Sequence, residues 1–241
     1  MHRLFLPPQT VASAVEITGE DCRHLQVLRV RQGETLSVSD GVSWLYDGRV
    51  ERVEKDRVLL SLSGQRPLEG EPSLRVVLWQ AVCKGDKNEQ IVQKCVELGV
   101  DAVRFFCSEN CVARPSGRED AKIFRLARVS RTAAMQAGRG RIPEVDGFFP
   151  FDAMREACAG APSLFFYENA VERLSSHLAQ HPFGGKTCNI IIGSEGGFTP
   201  REAECLVSAG IPALSLGSRI LRAETAPAAV LAVLMASVGE L

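Results

Sequence analysis

Residues 189–200 have the sequence NIIIGSEGGFTP, in which a short apolar run leads into three glycines and then into a helix start. The branched residues Ile190–Ile192 predict a buried strand, and the glycines allow a sharp turn with exposed backbone. Thr199 is a favourable N-cap before Pro200, and Glu202 completes a capping box. A glycine loop between a strand and a helix, at the carboxyl edge of an α/β sheet, is where such folds bind small ligands.

The spacing of these glycines excludes two common ligand classes. It matches neither GxGxxG nor GxxxxGK[ST], so the sequence does not indicate a dinucleotide or a nucleoside triphosphate. A plain tight turn is the alternative to a ligand-binding loop. Glu195 lies among the glycines and favours the ligand-binding interpretation, because a carboxylate there could accept a proton or meet a polar group of a ligand.

A second loop follows a short predicted strand at Pro212–Leu216 and has the sequence GSRILRAETA over residues 217–226. From about Ala223 onward the sequence predicts a helix rich in Ala and Val that is buried on most sides. Two arginines and a glutamate beside a buried helix start are costly unless they are paired or used. They indicate either a functional role or a structural ion pair between Arg222 and Glu224.

Between residues 74 and 192, strand-like runs alternate with helical patterns. Leu74–Ala81 is nearly continuously apolar, Asp86–Leu98 has apolar residues on one helical face, and Val100–Phe106 is strand-like again. The further predicted elements are a helix at Arg118–Gln136 and strands at Ser163–Tyr167 and Asn189–Ile192. This alternation predicts an α/β domain, with a parallel sheet and helices on both of its faces.

The first 66 residues or so predict a separate, small β-rich unit, because short strand-like runs are separated by Gly-containing turns. The predicted strands are Thr35–Ser39, Ser43–Asp47, Arg49–Val53 and Val58–Ser63, with one short helix between Glu20 and Arg29. The polar run from Arg66 to Pro72, broken by Pro and Gly, is the predicted boundary between the two domains.

Composition narrows the class of protein. The chain has 241 residues, 45% hydrophobic and 24% charged, which is typical of an ordered globular protein. Its apolar runs are shorter than the roughly 18 residues of a membrane helix, and its start lacks a secretory signal pattern, so we expect a cytoplasmic protein without a membrane partner. The eight cysteines are scattered and form no CxxC pair, so we expect neither disulfides nor a metal.

The formal net charge is only −1, but positive charge is concentrated in one segment. Its acidic residues are only Glu119 and Asp120, whereas its basic residues are Arg118, Lys122, Arg125, Arg128, Arg131, Arg139 and Arg141. A basic segment on a nearly neutral protein is what contact with nucleic-acid phosphates requires. A solvated helix face is the alternative.

The two loops, taken together with the rest of the chain, resemble the SPOUT (trefoil-knot) methyltransferases. Within that superfamily the chain is most similar to the ribosomal RNA small subunit methyltransferase E family. The similarity is carried by the loops at residues 192–198 and 216–226, and also by HRLF from His2, HLQVLR from His24, KGDK from Lys84, QKCVELGV from Gln93 and QAGR from Gln136.

This resemblance implies a fold, a reaction and partners. It implies a PUA-like, RNA-binding β-barrel at residues 1–68, and a SPOUT α/β domain with a C-terminal trefoil knot at residues 73–241. It also implies a homodimer packed through the knots. The reaction would use S-adenosylmethionine to methylate N3 of a uridine in 16S ribosomal RNA, either naked or in the assembled small subunit.

The resemblance also implies site residues. The expected cofactor-binding residues are Tyr167, Gly193, Ser194, Glu195, Gly197, Leu216, Gly217, Ile220, Leu221, Arg222 and Thr225. Among these, we expect Arg222 to stabilise negative charge on the uracil oxygens and Glu195 to be the general base. The residues expected to hold RNA phosphates are Arg3, Arg23, Arg29, Arg118, Lys122, Arg125, Arg128, Arg131 and Arg139.

The sequence departs from the family pattern at three positions. Members usually have Pro at the position of Ser194, Glu at Met135 and Arg at Asn110. The absence of a carboxylate at Met135 excludes a catalytic role for that position here. A SPOUT methyltransferase with a different RNA target and a noncatalytic RNA-binding protein are the alternative functions, since fold likeness alone does not fix function.

Overall fold

The computed structural model describes residues 3–112, 117, 119–182 and 186–241. They form two compact units. The first comprises the residues up to Glu71 together with Ala134–Ile142, and the second comprises Pro72–Ala133 and Pro143–Leu241. The sequence-based division, in contrast, assigned the whole chain after residue 73 to the second domain.

The first unit contains a five-stranded sheet and a short helix. The sheet has the order β1-β3-β4-β5-β2, in which β1 and β3 are parallel and the other pairs are antiparallel. Its elements are β1 (Arg3–Phe5), β2 (Ala14–Thr18), α1 (Gly19–Val27), β3 (Thr35–Ser39), β4 (Trp44–Val53) and β5 (Arg57–Pro67).

Strand β4 corrects one prediction. The sequence predicted two strands separated by a turn at Asp47-Gly48, but the structure has a single ten-residue strand through both residues. Gly48 lies opposite Leu36 of β3 and Leu62 of β5, and a Cβ at this position would approach Val38 Cγ2 to 2.8 Å. Close packing therefore requires the glycine, and the prediction of a turn was wrong.

Residues 134–142 belong to the first unit because of a buried ion pair. Arg139 is only 4% exposed, and its Nε and Nη2 donate to the two carboxylate oxygens of Glu71 at 3.0 and 2.7 Å. Glu71 Oε1 also accepts from the backbone N–H of Gly140 at 2.8 Å, and the Gly140 carbonyl accepts from Ser39 Oγ at 2.6 Å. These contacts join segments that are distant in the sequence, so a linear reading of composition could not find them.

The second unit is an α/β domain. Its described strands are β6 (Arg75–Ala81), β7 (Ala102–Cys107), β8 (Glu144–Pro150), β9 (Ser163–Phe166), β10 (Thr187–Ile192) and β11 (Ala213–Leu214). Its helices are α2 (Lys87–Glu97), α3 (Glu119–Ala137, whose last residues belong to the first unit), α4 (Phe151–Cys158), α5 (Leu174–Gln180), α6 (Pro200–Ser208) and α7 (Ala226–Ser237).

The strands of this unit form one sheet in the order β11-β9-β10-β6-β7-β8, and every adjacent pair is parallel. Ile190 and Ile191 of β10 are both fully buried. Because successive side chains of a strand point to opposite faces, both faces of the sheet are covered at its centre. The predicted parallel α/β architecture is confirmed.

Three elements of the second unit had no clear signal in the sequence. Strand β8 contains Gly147 and a bulge at Phe148, whose φ is +63°, so its alternation of apolar residues is broken. Helices α4 and α5 have only eight and seven residues, which is two turns each and too short for a visible periodicity.

The last third of the chain brings three loops to one edge of the sheet. The predicted capping box is confirmed: Thr199 Oγ1 accepts from the Glu202 backbone N–H at 3.2 Å, and Glu202 Oε2 accepts from the Thr199 N–H at 2.9 Å. After β11, at the edge of the sheet, the chain returns to its centre, where α7 packs against β6, β10 and α2. The C-terminal helix therefore covers the two central strands of the sheet.

Candidate active site

A cavity of about 850 Å³ lies where the loops after β9, β10 and β11 meet. All three loops leave the carboxyl ends of parallel strands, which is where open α/β sheets bind ligands. Ten of the predicted cofactor-binding residues line this cavity: Tyr167, Gly193, Ser194, Glu195, Gly197, Leu216, Gly217, Ile220, Leu221 and Arg222. The structure therefore brings together the two sequence segments from which the site was predicted.

Backbone forms much of the wall contributed by the β10 loop. Gly197 has a φ of +63°, and its N–H donates to the Ser194 carbonyl at 3.0 Å to close a tight turn. A Cβ at Gly197 would come within 2.9 Å of the carboxylate of Glu168, which belongs to the β9 loop. A Cβ at Gly193 would lie 3.3 Å from the backbone of Gly197. A side chain would be strained by the positive φ at Gly197 and crowded by the Gly197 backbone at Gly193, so glycine at both positions keeps the main chain available to a ligand.

Two sets of hydrogen bonds hold the loops in place. Gln80, fully buried at the end of β6, donates from Nε2 to the Gly193 carbonyl at 3.1 Å. The β9 and β11 loops are joined by reciprocal backbone bonds, from the Leu174 N–H to the Ser215 carbonyl at 3.0 Å and from the Ser215 N–H to the Glu172 carbonyl at 2.7 Å. The loops are therefore anchored to the sheet and to each other.

A charged cluster occupies one part of the cavity wall. Lys87, the first residue of α2, donates from Nζ to Glu195 Oε1 at 2.8 Å and lies 3.8 Å from Glu224 Oε2. The same Glu195 oxygen accepts from the Lys84 backbone N–H at 3.1 Å. Partial burial would raise the pKa of Glu195, but the hydrogen bonds from Lys87 and from backbone N–H groups outweigh it, so the net pKa is lowered. Glu195 is therefore a carboxylate at neutral pH.

Ser194 carries an unsatisfied polar group. The residue is only 6% exposed, and its Oγ is enclosed without a hydrogen-bond partner. A buried hydroxyl without a partner is uncommon in folded proteins, because burial removes its bonds to water. Its position in the cavity wall indicates that a bound ligand supplies the missing partner.

Arg222 lies in the β11 loop with an exposed side chain, and its carbonyl accepts from the N–H groups of Thr225 and Ala226, both at 2.9 Å. The alternative of a structural ion pair between Arg222 and Glu224 is wrong, since Glu224 pairs with Lys87 instead. Thr225, also predicted as a cofactor contact, is not among the residues that line the cavity; it is the residue from which α7 begins.

Comparison with known proteins agrees with this geometry. The family model described as RNA methyltransferase domain matches residues 70–235, and the model described as RNA methyltransferase PUA domain matches residues 17–63. A ribosomal RNA small subunit methyltransferase E from Mycobacterium bovis is 35% identical over 236 residues, which are 93% of this chain and 86% of that protein. This chain belongs to the ribosomal RNA small subunit methyltransferase E family. The protein of the same name from Synechocystis is 31% identical and is covered to 76% of its length.

Solved structures from the family have the same fold. A ribosomal RNA small subunit methyltransferase E from Neisseria gonorrhoeae, bound to S-adenosylmethionine, superposes with a TM-score of 0.87 at 30% identity, covering 98% of this chain and 97% of that one. A protein from Legionella pneumophila, also in complex with S-adenosylmethionine, has a TM-score of 0.88 at 28% identity with the same coverage. The chain is thus an α/β protein with a PUA-like N-terminal domain and a parallel-sheet methyltransferase domain.

Two arginines that were predicted to hold RNA have structural roles in this member of the ribosomal RNA small subunit methyltransferase E family. Arg139 is buried against Glu71, which excludes contact with a phosphate. Arg3 is half-buried and donates to Ser37 Oγ at 3.2 Å and to the Gly138 carbonyl. For Arg139 the buried ion pair takes the place of the predicted phosphate contact. For Arg3 the phosphate contact stays a prediction, although Nε and Nη1 already join segments of the first unit.

The other predicted RNA contacts are mostly exposed. Arg23 and Arg29 are exposed on the first unit, where Arg29 has a φ of +56° just after α1. On α3, Lys122, Arg125 and Arg128 are exposed and Arg131 is half-buried. Arg125 pairs with Glu89 at 2.6 Å, and Lys122 lies 5.6 Å from the ring centre of Phe148. Arg118 lies outside the described residues.

The described part of this family member contains neither a metal-binding cluster nor a membrane-spanning helix. Within those ranges, no three His, Cys, Asp or Glu side chains cluster in a way that could hold a metal ion, and no helix is both long and apolar enough to cross a bilayer. All eight cysteines have free thiols, and burial raises the pKa of Cys83, which lies beside the charged cluster, to about 12.

Sequence reasoning missed several residues of the site. Lys87 was part of the KGDK motif that helped to identify the family, but its role was not predicted, because its carboxylate partners are more than a hundred residues away. Glu168 follows Tyr167 directly and also lines the cavity, but it was not predicted. Gln80 was read as part of an apolar run, although a polar residue in a buried strand is itself a signal.

Proposed function

We propose that this protein methylates RNA of the small ribosomal subunit with S-adenosylmethionine as the methyl donor, at N3 of a uridine. The observation that carries the proposal is that the loops at residues 193–197 and 216–222 line one cavity at the carboxyl ends of parallel strands. Family membership supports the same function, since the matched relatives are ribosomal RNA small subunit methyltransferases and two solved neighbours contain S-adenosylmethionine.

The residues of the cavity fit the proposed cofactor. Its volume of about 850 Å³ is ample for a nucleoside with an amino-acid side arm. The glycine wall offers backbone groups that can pair with an adenine edge or a ribose, and the orphaned Ser194 hydroxyl offers one more hydrogen bond. When bound, the cofactor would supply a methyl group activated by an adjacent sulfonium.

Uridine N3 carries a weakly acidic proton that must leave before or during methyl transfer. We assign Glu195 as the acceptor of this proton, because it is an ionised carboxylate in the wall of the cavity. The bonds from Lys87 and Lys84 both engage Oε1, so they fix the carboxylate while Oε2 takes the proton. Arg222 would stabilise the negative charge that develops on the uracil oxygens, as its exposed guanidinium lines the same cavity.

Exposed basic side chains would hold the RNA. We assign this role to Arg23 and Arg29 of the first unit and to Lys122, Arg125, Arg128 and Arg131 of α3, all within reach of solvent. The small ribosomal subunit, or its naked RNA, is the proposed partner. We further propose a homodimer packed through the C-terminal knots and a cytoplasmic location; exposed Val207 and Val233 of the second unit are suitable for a contact between subunits.

Primer extension on methylated subunits tests this function. Small subunits lacking the modification, or their naked RNA, would be incubated with the enzyme and S-adenosylmethionine, and reverse-transcriptase stops would then be mapped. Since N3 takes part in base pairing, its methylation should create one strong stop at a uridine. A modification that blocks no base-pairing edge would point to a different target atom. Cofactor binding without methyl transfer to either substrate would favour a noncatalytic RNA-binding protein.

A further inference from the structure

The charged cluster in the cavity contains more charged groups than the proposed chemistry at uridine requires. Glu195 is the assigned base and one Lys87 donor holds it, but the other donors of Lys87 and the carboxylate of Glu224 have no role in proton removal. We infer that Lys87 and Glu224 form a clamp for the amino-acid end of the cofactor, with Lys87 binding its carboxylate and Glu224 its ammonium. This inference rests on the proposed function, because it presumes an S-adenosyl ligand in this cavity.

Lys87 retains hydrogen-bonding capacity that faces the cavity. A lysine ammonium has three N–H donors, and in this structure one is directed to Glu195 Oε1 at 2.8 Å. The side chain is 27% exposed and lines the cavity. It also lies at the N-terminus of the eleven-residue helix α2, where the helix dipole favours an anionic group. Lys87 is therefore suited to bind a ligand carboxylate.

Glu224 is an incompletely satisfied carboxylate. Its Oε2 is enclosed without a hydrogen-bond partner, and the Lys87 Nζ, at 3.8 Å, is too distant for a hydrogen bond. The side chain as a whole is 19% exposed and lines the cavity just before α7. A buried carboxylate in this state is stabilised by a cationic donor, and a ligand ammonium would be one.

An independent observation indicates a polar ligand at the same wall. Ser194 precedes Glu195 in the chain, lines the cavity, is more than nine-tenths buried, and has an enclosed Oγ without a partner. Three polar side chains of this wall, Ser194, Lys87 and Glu224, thus have unused hydrogen-bonding capacity.

The distribution of charge distinguishes the two ends of the ligand. Adenine and ribose are uncharged, and the side-chain-free backbone at Gly193 and Gly197 suits them. An α-amino acid carries one negative and one positive group a few bonds apart. Lys87 and Glu224 present one charge of each sign 3.8 Å apart, and Glu195, held by Lys87 and by the Lys84 N–H, orients the lysine. No other part of the cofactor has this pair of charges.

Calorimetric titration with two probes tests the clamp. S-adenosylhomocysteine has the amino-acid end, and 5′-methylthioadenosine lacks it. For Lys87→Met and for Glu224→Gln we expect S-adenosylhomocysteine to bind about 10- to 100-fold more weakly, because a charge-assisted bond is lost. The affinity for 5′-methylthioadenosine should change less than about threefold. Lys94→Met is the matched control, since Lys94 is on the same helix, pairs with Glu97 at 3.1 Å and does not line the cavity.

The outcomes separate the clamp from the proposed function. Equal weakening of both probes in the Lys87 and Glu224 variants would overturn the clamp while leaving the cavity as a cofactor site. Failure of the unmodified protein to bind S-adenosylhomocysteine would overturn the proposed function itself. If Lys87→Met does not fold, Lys87→Arg keeps the charge and should retain most of the discrimination between the two probes. Loss of discrimination in a folded Lys87→Arg variant that still pairs with Glu195 would count against the assignment.

A third probe assigns the two ends of the clamp. Decarboxylated S-adenosylmethionine keeps the ammonium and lacks the carboxylate. Its affinity should be insensitive to Lys87→Met and should fall about tenfold or more in Glu224→Gln. The reverse pattern would contradict the assigned orientation of the amino-acid end.

Discussion

Replacement of Ser194 by alanine should raise the stability of the free protein and weaken cofactor binding at the same time. Both effects derive from one atom, the Ser194 Oγ, which is enclosed in the cavity wall without a hydrogen-bond partner. In the free protein this hydroxyl is desolvated and unpaired. In the complex we expect it to bond to the ligand.

The magnitudes follow from these two states. An unsatisfied buried polar group costs roughly 1–3 kcal/mol, so its removal should raise the free energy of unfolding by about 1 kcal/mol. In a protein of this size that corresponds to a rise in Tm of roughly 2–4 °C. Loss of an ordinary hydrogen bond to the ligand costs about 0.5–1.5 kcal/mol, which weakens the affinity for S-adenosylhomocysteine roughly 2- to 10-fold.

Thermal unfolding without ligand and calorimetric titration with S-adenosylhomocysteine measure the two effects. Ser130→Ala is the matched control. Ser130 is fully buried on α3, and its Oγ donates to the Pro143 carbonyl at 2.7 Å, so the same substitution there breaks a satisfied bond. We expect Ser130→Ala to lower Tm and to leave the affinity for S-adenosylhomocysteine unchanged. The two variants should therefore shift stability in opposite directions.

An unchanged Kd for Ser194→Ala would refute the reasoning, because the hydroxyl would then have no partner in either state. A fall in Tm similar to that of Ser130→Ala would refute the predicted gain in stability. It would mean that the Ser194 hydroxyl is already satisfied in the free protein.

Four further results are expected. Gly197→Ala forces a side chain into a φ of +63° and to within 2.9 Å of Glu168, so it should lower Tm and weaken S-adenosylhomocysteine binding about tenfold or more. Gly210→Ala, at a φ of +80° in open space, should lower Tm by an amount similar to that of Gly197→Ala and leave Kd unchanged. Glu195→Gln should slow turnover by roughly two to four decades, and an unchanged kcat would remove it from the mechanism. Burial would raise the pKa of Glu195, but the hydrogen bonds it accepts, first that from Lys87, lower it. Donation to Glu195 raises the pKa of Lys87, so the pair is charged from about pH 5 to 9. Pairing is lost as pH falls through the lowered carboxyl pKa or rises through the raised lysine pKa, so cofactor affinity should be flat between them, and a tenfold change within that window would contradict the pairing. RNA binding should weaken steeply with salt and less steeply in Arg128→Gln, and a flat salt dependence would exclude phosphate contacts on α3.

The parallel sheet and the two loops could be predicted from local sequence, because each depends on neighbouring residues. The run Ile190–Ile192 is continuous, and the glycines and the Thr199 cap follow it immediately. Local reasoning failed at Gly48, where the same residue type that makes turns is required by packing inside a strand. It also failed at Arg139, where a basic residue of an apparent RNA-binding segment is buried against Glu71.

The charged cluster illustrates why the site could be located from sequence but not completed. Glu195 stood out because it lies among glycines, and its local setting gave a plausible role. Its partner Lys87 is 108 residues earlier, and Glu224 follows only after a further strand and helix. What joins them is the register of the sheet: β6, which leads into α2, pairs directly with β10, and α7 returns from the sheet edge to pack on both. Which side chains lie within 4 Å of one another is therefore determined by the order of the strands and cannot be read from a local sequence motif. A residue that assists the chemistry of a loop is best sought at the carboxyl end of the strand that neighbours the loop's own strand in the sheet. Gln80, near the end of β6, and Lys87, at the start of the following helix α2, are two such residues.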